Sequence, residues 1–130
     1  DRAGFHSMVT TLDQPYQNVG VVIRRGRMDE LAGRLVPLLR AVRAGIDRYY
    51  NDKAFTMKVI AKYTKEHDPD IIERTYEFYR KAGFRRELMI SEPGIQGILD
   101  FLTETIPEAK KATPAQFFDD RFVRQLNSAK

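Results

Sequence analysis

The sequence contains no cysteine, and only two of its 130 residues are histidines. Without thiol groups, the chain cannot form disulfides, cysteine-based zinc sites or a thiolate nucleophile. His6 and His67 have no neighbouring ligands at metal-binding spacing, and a loop position before Asp68 explains His67 without a metal. Neither a G-x-S-x-G motif nor a Gly-rich phosphate loop ending in lysine occurs. We therefore expect no enzyme activity, no metal and no cofactor.

Long apolar runs are also missing, and none approaches the roughly 18 to 20 residues that a membrane-spanning helix requires. With 42% hydrophobic and 31% charged residues, the composition is that of a folded domain. The net charge of +4 predicts a solvated surface with a slight positive bias, not the dense basic stripe of a nucleic-acid module. No signal peptide is visible, and because the sequence begins with Asp1 we expect a mature product or a fragment.

The first 27 residues differ from the rest of the chain. Residues 19–23 form a β-branched run that predicts a buried strand, and the mixed stretch 5–12 is a candidate for a second. One or two strands do not make a stable sheet, so the remaining strands would have to come from elsewhere. We accordingly predict self-association of the isolated chain through the unpaired edge of this run, which consists of Val19, Gly20, Val21, Val22 and Ile23.

A polar loop that contains an aromatic side chain precedes the predicted strand. Its candidate ligand-binding residues are Gln14, Tyr16, Gln17 and Asn18. Loops beside a rigid scaffold often supply ligand contacts, although ordinary turn chemistry explains these residue types equally well.

From Met28 onward the sequence predicts helices. Apolar residues recur at helical spacing on one face of the first, and they are Leu31, Leu35, Leu38, Val42, Ile46 and Tyr49. Pro37 removes one backbone hydrogen bond, so we expect a kink near Gly33 or, alternatively, two short helices that meet at Pro37. Capping residues predict five later helix starts, which are Asp52, Asp68, Ser91, the capping box Thr113-Pro114-Ala115-Gln116 and, before a last short helix, Asp119. In the helix after Asp68 we expect Ile72, Tyr76 and Tyr79 to point inward.

Two weaker patterns suggest contacts with nucleic acid. Gly94-Ile95-Gln96-Gly97 has the G-x-x-G form of an RNA-clamping loop, but it lies at a helix start and lacks flanking basic residues. The arginines Arg24, Arg25, Arg27, Arg40 and Arg43 are candidates for phosphate contacts in a helical nucleic-acid-binding module. An exposed connection and an exposed helix face explain the same residues. A purely structural helical interaction domain is a third hypothesis.

A series of motifs between Tyr49 and Leu126 carries a family resemblance. In order, they are Tyr49-Tyr50-Asn51-Asp52-Lys53, Val59-Ile60-Ala61-Lys62-Tyr63, Asp68-Pro69, Thr75-Tyr76-Glu77-Phe78-Tyr79, Gly94-Ile95-Gln96-Gly97-Ile98-Leu99-Asp100 and the segment from Thr113 to Val123. Together they resemble the C-terminal part of the periplasmic substrate-binding proteins of nitrate, sulfonate and taurine type ABC importers, whose relatives bind thiamine-pyrimidine precursors.

The resemblance implies a fold, a function and partners. The expected fold class is mainly α with one or two short strands, as the C-terminal fragment of a two-lobed α/β (type II) periplasmic binding protein. Residues 1–27 would be a crossing segment and lobe strand, and residues 28–130 the helical portion of the first lobe. The implied function is the capture of a small molecule between the lobes in the periplasm, or on a lipid-anchored protein outside the cytoplasm. Its partners would be the ligand and the ABC permease subunits, with no nucleic acid.

Overall fold

The computed structural model describes Gly4, His6, Met8, Val9 and residues 14–128. Five α-helices and three short 3-10 helices make up the regular structure of this part of the chain. The α-helices are α1 (Met28–Asn51), α2 (Lys53–Thr64), α3 (Pro69–Ala82), α4 (Glu92–Leu102) and α5 (Arg121–Ser128). The 3-10 helices span Arg25–Arg27, Pro107–Lys111 and Pro114–Gln116. None of the helices in these residues is long and apolar enough to cross a membrane.

The predicted fold class is wrong in its β content, because no strand occurs among residues 14–128 and a two-lobed α/β fold is not formed there. Residues 19–23, predicted as a buried strand, have no strand partner, and Val22 is 92% exposed. A strand requires a neighbour that pairs its backbone N–H and C=O groups, and the described chain supplies none. Most of the second candidate, residues 5–12, lies outside the described residues.

Four of the five helix starts predicted from capping residues are confirmed, whereas the last helix begins at Arg121, two residues after the predicted cap Asp119. At the four confirmed starts, the capping side chain accepts a hydrogen bond from a backbone N–H in the first turn, which satisfies a group that the helix leaves unpaired. The bonds join Asp52 Oδ1 to Phe55 N (3.0 Å), Asp68 Oδ1 to Asp70 N (2.9 Å) and Ser91 Oγ to Gly94 N (3.2 Å). In the capping box, the Gln116 side chain also accepts from the Thr113 backbone N–H at 2.9 Å.

Helix α1 is continuous through Pro37, so the alternative of two helices meeting there is wrong. Its predicted inner face is partly wrong as well. Leu35 is buried as expected, but Leu39 is buried in place of Leu38, which is 46% exposed. The reason is tertiary, because α5 packs against the side of α1 that carries Leu39, and Leu39 forms a core cluster with Val123 and Leu126.

The chain divides into two compact units. One comprises the described residues through Val21 together with Ile90–Asp119, in which α4 packs against the 3-10 helices Pro107–Lys111 and Pro114–Gln116 and buries Leu99. The other comprises Val22–Met89 and the described residues from Asp120 onward, and it contains α1, α2, α3 and α5. The boundary at residue 27 that the sequence suggested stays a prediction.

Candidate ligand-contact segment

Residues 14–18, here called the polar segment, contact the first turns of α4. A Cβ atom on Gly94 would lie 2.8 Å from the backbone N of Gln17 and 3.0 Å from the carbonyl carbon of Tyr16. A Cβ atom on Gly97 would lie 3.0 Å from the carbonyl oxygen of Pro15. Only glycine permits this approach without displacing backbone. The G-x-x-G pattern is therefore part of a helix surface that another segment covers, not a loop between helices.

The side chain of Gln17 fixes the polar segment to the start of α4. Its Oε1 atom accepts a hydrogen bond from the backbone N–H of Ser91 at 2.9 Å, and its Nε2 atom donates to the carbonyl oxygen of Val19 at 2.7 Å. Ser91 in turn caps α4 through its Oγ atom. Because both ends of the amide are engaged, Gln17 positions the segment, and its direct contact with a ligand stays a prediction.

The other three candidate residues present their side chains to solvent. Gln14, Tyr16 and Asn18 are all exposed, and none forms a hydrogen bond or ion pair with the described part of the chain. An aromatic ring and two amides are thus brought together on one short segment. The sequence identified these residues but missed Ser91, Gly94 and Gly97 as their support. The spacing of two glycines within one predicted helix was the available signal, since such a helix face admits close backbone packing.

The five arginines proposed for phosphate contacts do not form one free patch. Arg27 donates two hydrogen bonds to the Glu30 carboxylate, at 2.8 and 2.6 Å, and this contact lowers the pKa of Glu30. Arg43 is half-buried and donates through Nη2 to the Oδ1 atom of Asn127. Arg24, Arg25 and Arg40 are exposed, but Arg40 lies 13 residues beyond Arg27, roughly 20 Å along the helix. This arrangement does not favour the nucleic-acid hypothesis.

Aromatic residues of α1, of α3 and of the segment that follows α3 form a connected network that the sequence did not predict as a unit. The ring of Tyr49 lies 5.3 Å from Tyr76, 5.5 Å from Tyr50 and 5.4 Å from Phe84, measured between centroids. The phenol of Tyr49 donates to the carbonyl oxygen of Tyr76 at 2.9 Å. Burial, with a smaller contribution from Tyr76, raises the pKa of the Tyr49 phenol. Buried phenols normally find such a hydrogen-bond partner, so the network stabilises the junction of the two helices.

An ion-pair cluster joins the start of α2 to α3. Lys53 Nζ donates to Glu73 Oε1 at 2.6 Å and to Glu77 Oε1 at 3.3 Å. These hydrogen bonds raise the pKa of Lys53, and the bond from Lys53 lowers the pKa of Glu73. All three side chains are well solvated, which is typical of a structural surface cluster. Within the described ranges, no group of three or more histidine and carboxylate side chains could hold a metal ion.

No family model matches the chain, and neither a curated protein nor a solved structure matches it. The family resemblance therefore depends on the motifs between Tyr49 and Leu126 alone.

Proposed function

We propose that this chain is the C-terminal portion of the solute-binding component of an ABC importer. It would help to capture a small molecule of the nitrate, sulfonate, taurine or pyrimidine class and deliver it to the permease outside the cytoplasm. The mechanism is reversible binding, without making or breaking covalent bonds. The single observation that carries the proposal is the ordered series of motifs between Tyr49 and Leu126.

The positions of these motifs in the fold support the proposal. Asp52 lies at the junction of α1 and α2, Asp68 and Pro69 open α3, and the capping box that begins at Thr113 precedes α5. Such residues specify where helices begin. Three of the six motifs therefore mark helix boundaries, and the other three lie inside α2, α3 and α4. A relative that shares the boundary motifs in the same order would share the corresponding helix starts.

The chemistry of the polar segment suits the proposed solutes. The phenol of Tyr16 and the side-chain amides of Gln14 and Asn18 can donate hydrogen bonds to the oxygens of nitrate or a sulfonate. The ring of Tyr16 also offers an apolar face on which a pyrimidine can stack. Gln17 holds this set in place through Ser91, so binding would not have to order the segment first.

Thermal unfolding of the complete gene product, with and without candidate solutes, tests the proposal. The panel contains nitrate, taurine, an alkanesulfonate and an aminopyrimidine. A solute present at about 100 times its Kd stabilises the folded state by about 2.7 kcal/mol, which raises Tm by several degrees. We expect one member of the panel to produce this shift and Tyr16→Ala to reduce it. Tyr63→Ala, which changes an exposed tyrosine on α2, is the matched control.

The competing outcome is equally measurable. If no solute in the panel changes Tm and the protein instead binds DNA with an affinity that falls steeply between low and moderate salt, the importer proposal is wrong.

A further inference from the structure

Residues 19–24 connect the polar segment to the 3-10 helix that precedes α1, and they are here called the linker. Val19 is 76% exposed and Val22 is 92% exposed, and Gly20 and Arg24 are exposed as well. The structure describes every residue of the linker, and none of them belongs to a helix or a strand. Exposed segments of this kind are the preferred sites of proteolytic cleavage in folded proteins. The linker is therefore a candidate protease substrate.

The backbone of the linker is largely unpaired. Residues 20–23 form no hydrogen bond with the described part of the chain. Only the ends of the linker are engaged, since the carbonyl oxygen of Val19 accepts from the Gln17 side chain at 2.7 Å and that of Arg24 accepts from the Arg27 N–H at 2.9 Å. A peptide that is recognised in extended form pairs its N–H and C=O groups with a strand of its partner. Residues 20–23 can supply such pairing immediately before Arg24.

Arg24 combines an extended backbone with an available basic side chain. Its φ is −67° and its ψ is 131°, which are extended values. The side chain is exposed and forms no ion pair with the described residues. The specificity pocket of a serine protease selects the side chain that precedes the cleaved bond, and an acid in that pocket selects arginine or lysine. The peptide bond between Arg24 and Arg25 therefore follows a residue that such a pocket can accept.

The bond itself lies at the start of the short 3-10 helix Arg25–Arg27. The N–H of Arg27 donates to the carbonyl oxygen of Arg24 at 2.9 Å. The N–H of Met28 donates to the carbonyl oxygen of Arg25. A single 3-10 turn has poor hydrogen-bond geometry and opens more readily than a long α-helix. A protease can therefore reach the bond without unfolding α1.

The other basic residues of the described chain are less suited to cleavage. Besides Arg24, those outside helices are Lys65, Arg85 and Arg86. Lys65 has a left-handed backbone with a φ of 59°, which is not extended. The carbonyl oxygen of Arg85 accepts from the Leu88 N–H at 3.3 Å in a turn, and the Arg86 guanidinium lies 3.4 Å from the Asp47 carboxylate. The remaining described lysines and arginines lie in helices, where cleavage first requires local unfolding.

We propose that the Arg24–Arg25 bond is the first cleavage site of the folded chain for a serine endoprotease that cleaves after arginine. One water molecule is consumed, the C–N bond breaks, Arg24 ends in a carboxylate and Arg25 begins with an α-ammonium group. The cut would leave the polar segment attached to α4 by non-covalent contacts alone, and it would separate the candidate ligand contacts from α1. This inference does not depend on the proposed transport function.

Limited digestion of the full chain with trypsin tests the proposal. Trypsin is added at a low ratio to the chain, and N-terminal sequencing identifies the products in their order of appearance. We expect the first new N-terminus to read Arg25-Gly26-Arg27. Cleavage after Arg24 should be at least about tenfold faster than cleavage after Lys65 or Arg85, since those bonds have to leave their folded conformation first.

Two pairs of variants separate the side chain from the backbone. Arg24→Gln should slow cleavage at this bond by about tenfold or more, because the specificity pocket loses its arginine. Arg25→Gln removes the same charge one residue later and should keep the rate within about threefold. Val22→Pro removes an N–H group that would pair with the protease and should slow cleavage by about fivefold or more. Val22→Ala keeps this N–H group and is its control.

Three results would overturn the proposal. The first is initial cleavage at Lys65, at Arg85 or inside a helix. The second is equal slowing by Arg24→Gln and Arg25→Gln, because charge and not the residue before the bond would then control the rate. The third is cleavage of Arg24→Gln after Arg25 at the original rate, because the extended backbone of Arg24 would then not select the bond. Circular dichroism verifies that each variant has the helix content of the unchanged chain, so that the rates refer to the folded state.

Discussion

The Oε1 atom of Gln17 accepts a hydrogen bond from the backbone N–H of Ser91 at 2.9 Å, which joins residues 74 positions apart in the sequence. The same side chain donates to the carbonyl oxygen of Val19. One amide thus satisfies a helix N-terminal N–H group and fixes the chain that carries Tyr16 and Asn18. The candidate ligand contacts are held by a polar interaction, not by a buried apolar core.

Replacement of Gln17 should separate its two hydrogen bonds. Gln17→Ala removes both, and at 0.5–1.5 kcal/mol for each bond we expect a loss of about 1–3 kcal/mol in the free energy of unfolding. Gln17→Glu keeps the acceptor for Ser91 but places a carboxylate oxygen against the carbonyl oxygen of Val19. The Ser91 amide should therefore keep its protection while the free energy of unfolding still falls. Urea unfolding and hydrogen exchange at the Ser91 amide provide the measurements. If the Ser91 amide lost its protection from hydrogen exchange equally in both variants, Gln17 would not be its hydrogen-bond acceptor. Asn18→Ala is the control at the neighbouring position.

Two glycine substitutions should have opposite effects. Gly94→Ala places a methyl group 2.8 Å from the backbone N of Gln17, so the polar segment must move, at a cost of about 1–3 kcal/mol. Gly45→Ala adds a methyl group inside α1 that, apart from the neighbouring backbone of its own helix, meets no atom of the described residues within 4 Å. The higher helix propensity of alanine should raise the free energy of unfolding by about 0.5–1 kcal/mol. Thermal unfolding of the pair tests this, and a stable Gly94→Ala variant would contradict the close approach.

The adjacent leucines of α1 should differ in their contribution to stability. Leu39→Ala removes a side chain that packs with Val123 and Leu126, and we expect it to cost about 2–3 kcal/mol. Leu38→Ala changes a half-exposed residue and should cost less than about 1 kcal/mol. The urea concentrations at the midpoint of unfolding provide the comparison, since the slope of the unfolding free energy against urea concentration should be the same in both variants. Equal losses would mean that α5 does not pack on Leu39 in solution.

The sequence predicted the local features well and the tertiary features less well. Caps such as Asp52 and Ser91 act within one turn of their own helix, so the residues nearby are sufficient to predict them. The choice of Leu39 over Leu38 depends on α5, which lies about 80 residues further along the chain. The inward orientation predicted for Tyr79 is wrong for a similar reason, because its ring packs beside Phe84 and remains 48% exposed.

In the candidate site, too, the local features were predictable from the sequence and the long-range contacts were not. The polar character of Gln14, Tyr16, Gln17 and Asn18 was evident from the sequence alone, as was their position in a loop. The partner of Gln17 was not, because a hydrogen bond across 74 residues leaves no periodic signal. The prediction that residues 19–23 form a strand failed because β-branched composition describes a preference, whereas a strand also needs a pairing partner.

Alkaline pH should destabilise the aromatic network through Tyr49. Its pKa in the folded chain is raised by burial above the usual value of about 10, so folding favours the neutral phenol. This contribution to stability is fully present below about pH 10 and is lost as the pH rises through the raised pKa. Between neutral pH and about pH 11, the urea midpoint of unfolding should decrease less in Tyr49→Phe than in the unchanged chain. Because it also removes the hydrogen bond to Tyr76, it should cost about 1 kcal/mol near neutrality. An unchanged pH dependence in Tyr49→Phe would mean that other tyrosines cause the alkaline loss.

The exposed run at residues 19–23 should promote self-association. Val19, Val21 and Val22 are all exposed, and no strand in the described part of the chain pairs with their backbone. We expect sedimentation velocity to show a weight-average mass that rises with concentration, and Val22→Lys to suppress the rise because a charge disfavours edge pairing and apolar contact. Asn18→Lys adds the same charge nearby without removing apolar surface. If both lysine variants suppress association equally, net charge alone controls it. If the unchanged chain stays monomeric at high concentration, residues 19–23 do not drive self-association.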